Sequence, residues 1–512
     1  MPAGKEGVSP SAWQGHELSR KWEAGQRRQC RQRRQPMRQA QGTVVPRSQP
    51  DDIHSVEGRT EMDSTTKKIT RRTFLRTSAF AGTAGVLAAC AVPVAAPAGD
   101  GAAAPAMEDV TLRMVTHYGS PVRREFTSRV KDIFEATHPG VTVEVEVAPD
   151  IDVRWQTEVA AKTLPVMLWD ANLFCEMAAQ GVFLPLDDRL PMQQPPVNMD
   201  DYNVPTGAEC MVWHEGQQIA MPWINGAPLL YYNVDMFEEA GIERPSDDWT
   251  WDDFVDVTKE LTRDTDGDGE IDQWGYMQST RWDEHFAQWI FANGGEIVTE
   301  DRLHTPLDTP EAAGAIEFLY DLRFTHKVWP LAEQMEALQA LGIGSLFNGG
   351  RVAMTYGGTG GIGGFNRSVT DFTYDILHFP KSPATGARSL WTFMQNFAGP
   401  IWSEHPDLDA DLAIALGGPS SQRWAGRTKI QVPIYTPAVE EDYATKPPEN
   451  IRVVPEMFAE PGVQHLPIFN GKTEWLQTVF GGELTKAFIG EASLADAITS
   501  AVAEGDRILA RQ

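Results

Sequence analysis

Cysteine is scarce in this chain, basic residues are outnumbered, and long apolar runs are missing. Of 512 residues, four are cysteine. Beyond Cys90 only Cys175 and Cys210 remain, so one disulfide can form in an oxidising compartment but a disulfide framework cannot. Lysine and arginine number 44 against 71 aspartate and glutamate. Sixteen of the bases and eight of the acids fall in residues 1–89, leaving 28 against 63 beyond them, a formal balance of −35. Nucleic acid and anionic lipid both require positive surface, so neither is an expected partner. After Cys90 no stretch approaches the ~18 apolar residues that signal a membrane-spanning helix. Gly-x-Ser-x-Gly, His-Glu-x-x-His and Cys-x-x-Cys are all absent. That removes the common signatures of a serine hydrolase, a zinc protease and a redox dithiol. No internal repeat supports a scaffold or adhesin.

What is present begins with an export address. Thr70-Arg71-Arg72-Thr73-Phe74-Leu75-Arg76 resembles the twin-arginine motif of bacterial signal peptides, and Leu87-Ala88-Ala89-Cys90 resembles a lipobox, whose cysteine receives lipid after cleavage. The Ala- and Gly-rich run between them, Ser78 to Ala89, falls short of the ~20 apolar residues of a spanning helix but suits a signal-peptide core. Met62 opens this signal, so residues 1–61, polar and rich in Arg and Gln, read as a disordered leader and a start-site artefact. The other reading of that leader is a nucleic-acid-binding arm. Residues 62–89 are the signal peptide and 90–109 a lipidated Cys90 with an Ala/Pro/Gly tether.

Order is expected from about Val110. Leu112–Thr116 reads as a buried strand and Pro121–Thr137 as an amphipathic helix, with Val122, Phe126, Val130, Ile133 and Phe134 at helical spacing and Pro121 suited to the first turn. Val141–Val147 alternates strictly, Ile151–Lys162 is helical, and Val166–Trp169 is a continuous apolar strand. Strand, helix, strand, helix, strand predicts a parallel sheet wrapped by helices, with ligands at the carboxyl ends of the strands. Those ends carry Tyr118, Trp169, Asp170 and Asn172. Further on, Ile219–Asn233 reads as strand, turn, strand. Thr250 with Asp253 forms a capping-box signature, and helices are expected at 282–292, 309–322 and 407–416. Some 420 residues exceed one core, so two lobes are expected.

At this point the order of segments resembles the extracellular solute-binding proteins of ABC importers, in particular the carbohydrate-binding, maltose-binding-like group. Asp132–Val143, Met221–Gly241, Trp249–Phe254 and Phe347–Met354 carry the resemblance. It implies an α/β, two-lobed periplasmic-binding-protein-like fold (type II), each lobe a mostly parallel sheet wrapped by helices, with a ligand cleft between the lobes. The expected partition is 110–224 first lobe, 225–353 second lobe, 354–390 first-lobe return segment, and 391–512 second lobe with C-terminal helices. Implied partners are a small-molecule ligand, probed first among the sugars, and membrane permease subunits. The receptor itself is expected to be monomeric, anchored to the outer face of the cytoplasmic membrane, and to need no catalytic cofactor.

Sugars present apolar CH faces beside rings of hydroxyls, so a site needs aromatic platforms with planar polar groups next to them. The candidates are Tyr118, Trp169, Asp170, Asn172, Trp223, Asn225, Trp282, Tyr356, Gly358 and Trp391. For any single tryptophan the competing role is core packing. Gly226, and the glycines after Tyr356, stand where the resemblance leads one to expect an acid or a Trp, which points away from a maltose-like oligosaccharide toward a smaller sugar, a polyol or a phosphorylated polyol.

Two local motifs remain. Gly357–Gly364 contains a literal Gly-x-Gly-x-x-Gly, but no helix of normal length is expected after it and no Gly-Lys-Ser/Thr follows. It reads as a loop bordering the cleft whose amides bind ligand oxygens, or as a plain turn. Asp264, Asp266, Asp268, Glu270 and Asp272 resemble a calcium loop with its glycine in place, but Gly275 stands where the bidentate acid belongs. A structural calcium and a plain acidic turn both fit. The competing functions are an exported glycosidase or oxidoreductase and a receptor for a non-sugar ligand such as a glycerol phosphate.

Overall fold

The computed structural model describes residues 109–116, 120–148, 151–169, 171–340, 345–460, 463–469 and 471–511. All of them fall in one compact unit, Gly101–Gln512. The expectations for the leader, the signal peptide and Cys90 lie outside the described residues.

The first lobe starts as the periodicity predicts. Strand β1 (Val110–Thr116), helix α1 (Pro121–Thr137), β2 (Val141–Val147), α2 (Ile151–Ala161), β3 (Val166–Trp169) and α3 (Ala171–Ala179) follow one another. Pro121 sits in the first turn of α1, and Phe126, Val130 and Phe134 are its buried stripe. β1 pairs in parallel with both β2 and β3. The chain later adds β4 (Met221–Gly226), crosses at Ala227, and enters a second sheet as β5 (Pro228–Asn233). Every residue of β4 and β5 is buried, which is why both read as apolar runs rather than alternating strands.

The second lobe carries α4 (Val234–Ala240), α5 (Trp251–Glu260), β6 (Trp274–Met277), α6 (Asp283–Ala292), α7 (Pro310–Phe324), β7 (Val352–Gly358), α8 (Ile362–Ser368) and β8 (Tyr374–Leu377). The predicted capping box on α5 is present in both directions: the Asp253 N–H donates to Thr250 Oγ1, and the Thr250 N–H donates to Asp253 at 2.8 Å. Back in the first lobe come β9 (Leu390–Ala398), α9 (Pro406–Gly417), α10 (Pro419–Thr428) and β10 (Val432–Pro433). A short strand β11 (Val463–His465) lies along β9, and α11 (Lys472–Thr478) and α12 (Leu494–Leu509) close the chain on the second lobe's core.

The sheet orders are β10-β4-β9-β3-β1-β2, with β11 on β9, and β8-β5-β7-β6. The two-lobed α/β architecture is as expected, but the strand sense is more mixed. β3 meets β9, and β9 meets β4, antiparallel, and only β6–β7 is parallel in the second sheet. The expected partition also shifts. Residues 354–390 do not return to the first lobe, because β7 and β8 both hydrogen-bond to β5. The return comes at Leu390, and 390–433 builds the first sheet rather than the second lobe.

Candidate functional site

A single residue, Ala227, separates β4 of the first sheet from β5 of the second. The Ala227 N–H donates to Thr359 Oγ1 at 3.3 Å, and the Ala227 carbonyl accepts the Thr359 N–H at 2.9 Å. Thr359 Oγ1 in turn donates to Gln431 Oε1 at 2.7 Å, so groups from both lobes converge behind the crossing. Beside it runs β9. Leu390 and Trp391 pack into cores built on the second sheet, and Met394, Phe397 and Ala398 into those of the first lobe. Every residue of β9 is buried except Phe393. Phe393 pairs with Gly226, and a Cβ on Gly226 would lie 2.1 Å from Phe393 Cε1, so only glycine admits the ring in this position.

The candidate residues divide. Trp223 is 1% exposed and belongs to the first lobe's core, stacked on Phe126 (4.5 Å, 23°) with the Arg123 guanidinium 5.4 Å from its ring centroid. It is a packing residue, a correction that follows from β4 being covered by α1 and α10. Asn225 is buried, and its Oδ1 has no hydrogen-bond partner. It pairs with Met394, whereas Gly226 pairs with Phe393, so strand alternation puts Asn225 and the Phe393 ring on opposite faces. Trp282, just before α6, is 50% exposed and free to meet a ligand. Trp391 is buried in the second lobe's core and stacks on Phe393 (6.0 Å, 25°), so it braces a platform rather than forming one.

Tyr356 lies near the end of β7. Its hydroxyl donates to the Glu284 carbonyl at 3.1 Å, and the His285 ring lies 3.9 Å from its own. Burial pushes the Tyr356 phenol well above its ordinary range. Burial also pushes the His285 imidazole down to about 3, and the neutral Nδ1 accepts the Ser279 N–H at 3.1 Å. Tyr118 and Asp170 lie outside the described residues. Trp169 ends β3 and Asn172 lies in the first turn of α3, consistent with their placement at a strand's carboxyl end.

The glycine run is not a loop. Gly358 ends β7, its carbonyl accepting the Tyr231 hydroxyl at 2.6 Å, and the short helix α8 follows. Gly363 donates its N–H to the Lys429 carbonyl at 3.2 Å, and a Cβ there would lie 2.5 Å from the Thr428 carbonyl oxygen. The glycine lets α8 press against the end of α10, so the motif serves close packing between the lobes.

In the acidic turn the carboxylates of Asp264, Asp266 and Asp268 come within 4.8 Å of one another. The Gly269 and Gly267 N–H groups donate to Asp264 (2.8 and 2.6 Å) and hold its carboxyl below the usual range. Asp272 does not join them. It accepts from Thr265 N–H and hydroxyl and pairs with Arg351 at 3.1 Å, which already neutralises it. Glu270 is not part of the converging set either.

Cys175 and Cys210 form a disulfide, tying α3 to the turn Glu209–Met211. Sequence reasoning missed Phe393 and His285. Phe393 had a signal, since Trp391 and Phe393 share one face of a strand by alternation. His285 had none, because its place depends on the fold around Tyr356.

Comparisons with known proteins agree with this geometry. The profile described as bacterial extracellular solute-binding protein matches residues 119–394, over half of the chain. The sn-glycerol-3-phosphate-binding periplasmic protein of Agrobacterium fabrum is 24% identical over 292 residues, 53% of this chain and 61% of the relative, so the alignment leaves out more than a third of that protein. Among solved structures, an ABC substrate-binding protein of Listeria monocytogenes in complex with cycloalternan superimposes with a TM-score of 0.64 at 20% identity, over 78% of this chain and 98% of its own. The maltose/maltodextrin-binding domain of Bdellovibrio bacteriovorus bound to maltotriose gives 0.61 at 19%, over 79% and 100%.

Proposed function

The chain belongs to the bacterial extracellular solute-binding proteins, and from that premise we propose that it is a receptor that closes two lobes on a carbohydrate and delivers it to an ABC importer, with no chemistry of its own. The observation that carries this reading is the seam: two sheets with their own helices, the chain passing from one to the other at Ala227, with the partly buried Phe393 paired to Gly226 beside it. Ligand contacts made from both lobes stabilise the closed state by their differential affinity, and the importer reads that state. The sugars held by the structural neighbours support the ligand class. The glycerol phosphate bound by the Agrobacterium relative supports a second reading, in which the ligand is a phosphorylated polyol.

A thermal-shift screen of the purified protein against mono- and oligosaccharides, sn-glycerol 3-phosphate, amino acids and peptides tests the proposal. Stabilisation by one sugar class is the expected result. Stabilisation by the glycerol phosphate alone selects the second reading, and turnover of a chromogenic glycoside would replace the receptor with an enzyme.

The proposal extends to place and metal. Anchoring through lipid on Cys90 outside the cytoplasm is supported by the Cys175–Cys210 disulfide, since such bonds persist in oxidising compartments. Among the described residues no helix is long and apolar enough to cross a membrane. Cys90→Ala should release the protein from the membrane fraction, and retention there refutes the anchor. A calcium ion on Asp264, Asp266 and Asp268 is supported by their convergence. Calorimetric titration giving no heat at millimolar calcium rejects it.

A further inference from the structure

A strand buried along its whole length except at one aromatic residue is unusual, and in β9 that residue stands where the chain passes between lobes. Leaving part of a phenyl ring in water forgoes burial energy that its strand neighbours gain. The arrangement around it is built. Trp391, on the same face of the strand, backs the ring at 6.0 Å and 25°. Gly226, directly across the β4–β9 pair, supplies the space the ring occupies, since any Cβ there would meet Cε1 at 2.1 Å and Cζ at 2.3 Å.

We propose that the Phe393 ring is the apolar floor of the ligand seat, stacking on the CH face of a cyclic sugar, and that Gly226 is the specificity-determining residue that lets it lie there. This deepens the receptor reading and rests on it. The ligand class follows from the chemistry of the platform. A phenyl ring offers a flat apolar face and neither a hydrogen bond nor a charge. A pyranose or furanose has a flat patch of CH groups to match it. An acyclic polyol phosphate has none, and gains its binding from cations and hydrogen-bond donors instead. The absent side chain at 226 is thus replaced by an aromatic ring from the neighbouring strand, not left as open space.

The test is calorimetry on the purified protein with glucose, mannose, arabinose, mannobiose, maltotriose and sn-glycerol 3-phosphate as probes. The wild type should bind a sugar probe. Phe393→Leu keeps an apolar side chain at the position but loses the flat face, and should weaken that sugar about tenfold while the ligand-free variant still unfolds in one cooperative transition. Gly226→Ala must displace the ring and should weaken it comparably, while Gly226→Ala with Phe393→Leu should be no weaker than Phe393→Leu alone. That non-additivity is expected of a ring and the space it needs, and independent structural damage would not produce it. Sugar binding that is indifferent to Phe393→Leu overturns the inference and leaves the receptor standing. A wild type that binds only the glycerol phosphate overturns the ligand class, and one silent toward every mono- and oligosaccharide tried sinks the carbohydrate reading together with this inference.

Discussion

The two lobes hold themselves together by different means. The second lobe is organised around an indole. Trp289 meets Trp251, Phe254, Tyr276, Phe318 and Phe379 at centroid distances of 5.3–6.3 Å, and Gln278 Oε1 accepts both the Trp289 indole N–H (3.1 Å) and the Tyr276 hydroxyl (2.6 Å). Those rings come from helices, strands and a loop far apart in sequence. The first lobe has no such hub among the described residues of its segment 182–219, where regular structure thins to short 3-10 turns at Leu190–Met192, Met199–Asp201 and Glu209–Met211 and a two-residue strand pair, Trp213–His214 with Gln217–Gln218. There the disulfide spans 35 residues, and the buried Asn396 amide donates to the Met211 carbonyl. A covalent tie stands where the regular elements are short, and an aromatic cluster where helices and strands pack together.

The contrast is sharpest under substitution. Trp289→Ala should cost about 3–5 kcal/mol, because it removes a fully buried side chain and strands Gln278. Urea unfolding checks this, and a loss below ~1 kcal/mol would mean that the cluster is not what holds the lobe. Replacing both Cys175 and Cys210 with Ser should cost about 2–4 kcal/mol, chiefly by freeing the unfolded chain. Limited proteolysis should then cut first within 182–219; first cuts in the second lobe would break the comparison.

Acid tests the second lobe again. The His285 imidazole titrates near 3 when folded against an ordinary 6.5, so the unfolded chain binds the proton first. The resulting stability is present above 6.5 and is lost as pH falls through the window toward 3. At about 1.4 kcal/mol per unit it amounts to about 2 kcal/mol by pH 5. His285→Phe keeps the stack on Tyr356 and should flatten the fall in melting temperature between pH 7 and 5; parallel profiles would remove His285 from the account. Smallest is the cap of α5. Thr250→Ala should cost about 1 kcal/mol, measured by the same urea titration, with Thr250→Ser restoring most of it.

Much of this architecture is legible from periodicity. Pro121–Thr137, Val141–Val147 and Val166–Trp169 have the bounds that their patterns predict, because each buries one face, or two, in the way its spacing dictates. The capping box on α5 is equally local. The partition of lobes was less legible, since whether 352–358 pairs with β5 or with the first sheet depends on contacts more than a hundred residues apart. The tryptophans were least legible of all. Trp223 and Trp282 look alike in sequence, and only the presence of α1 over β4 makes the first a core residue and leaves the second in water.

The crossing at Ala227 has a mechanical consequence. Both backbone polar groups of Ala227 are committed to Thr359, whose hydroxyl is in turn tied to Gln431 of the first lobe, so this residue is held from both halves of the molecule. At this crossing, a change of angle between the halves therefore works against the Ala227–Thr359–Gln431 bonds as well as the torsions of Gly226, where the Phe393 ring rests. Under the proposed function, the axle of the motion and the surface beneath the cargo are neighbours, so weight placed on the ring bears on the pivot with almost no lever arm between them.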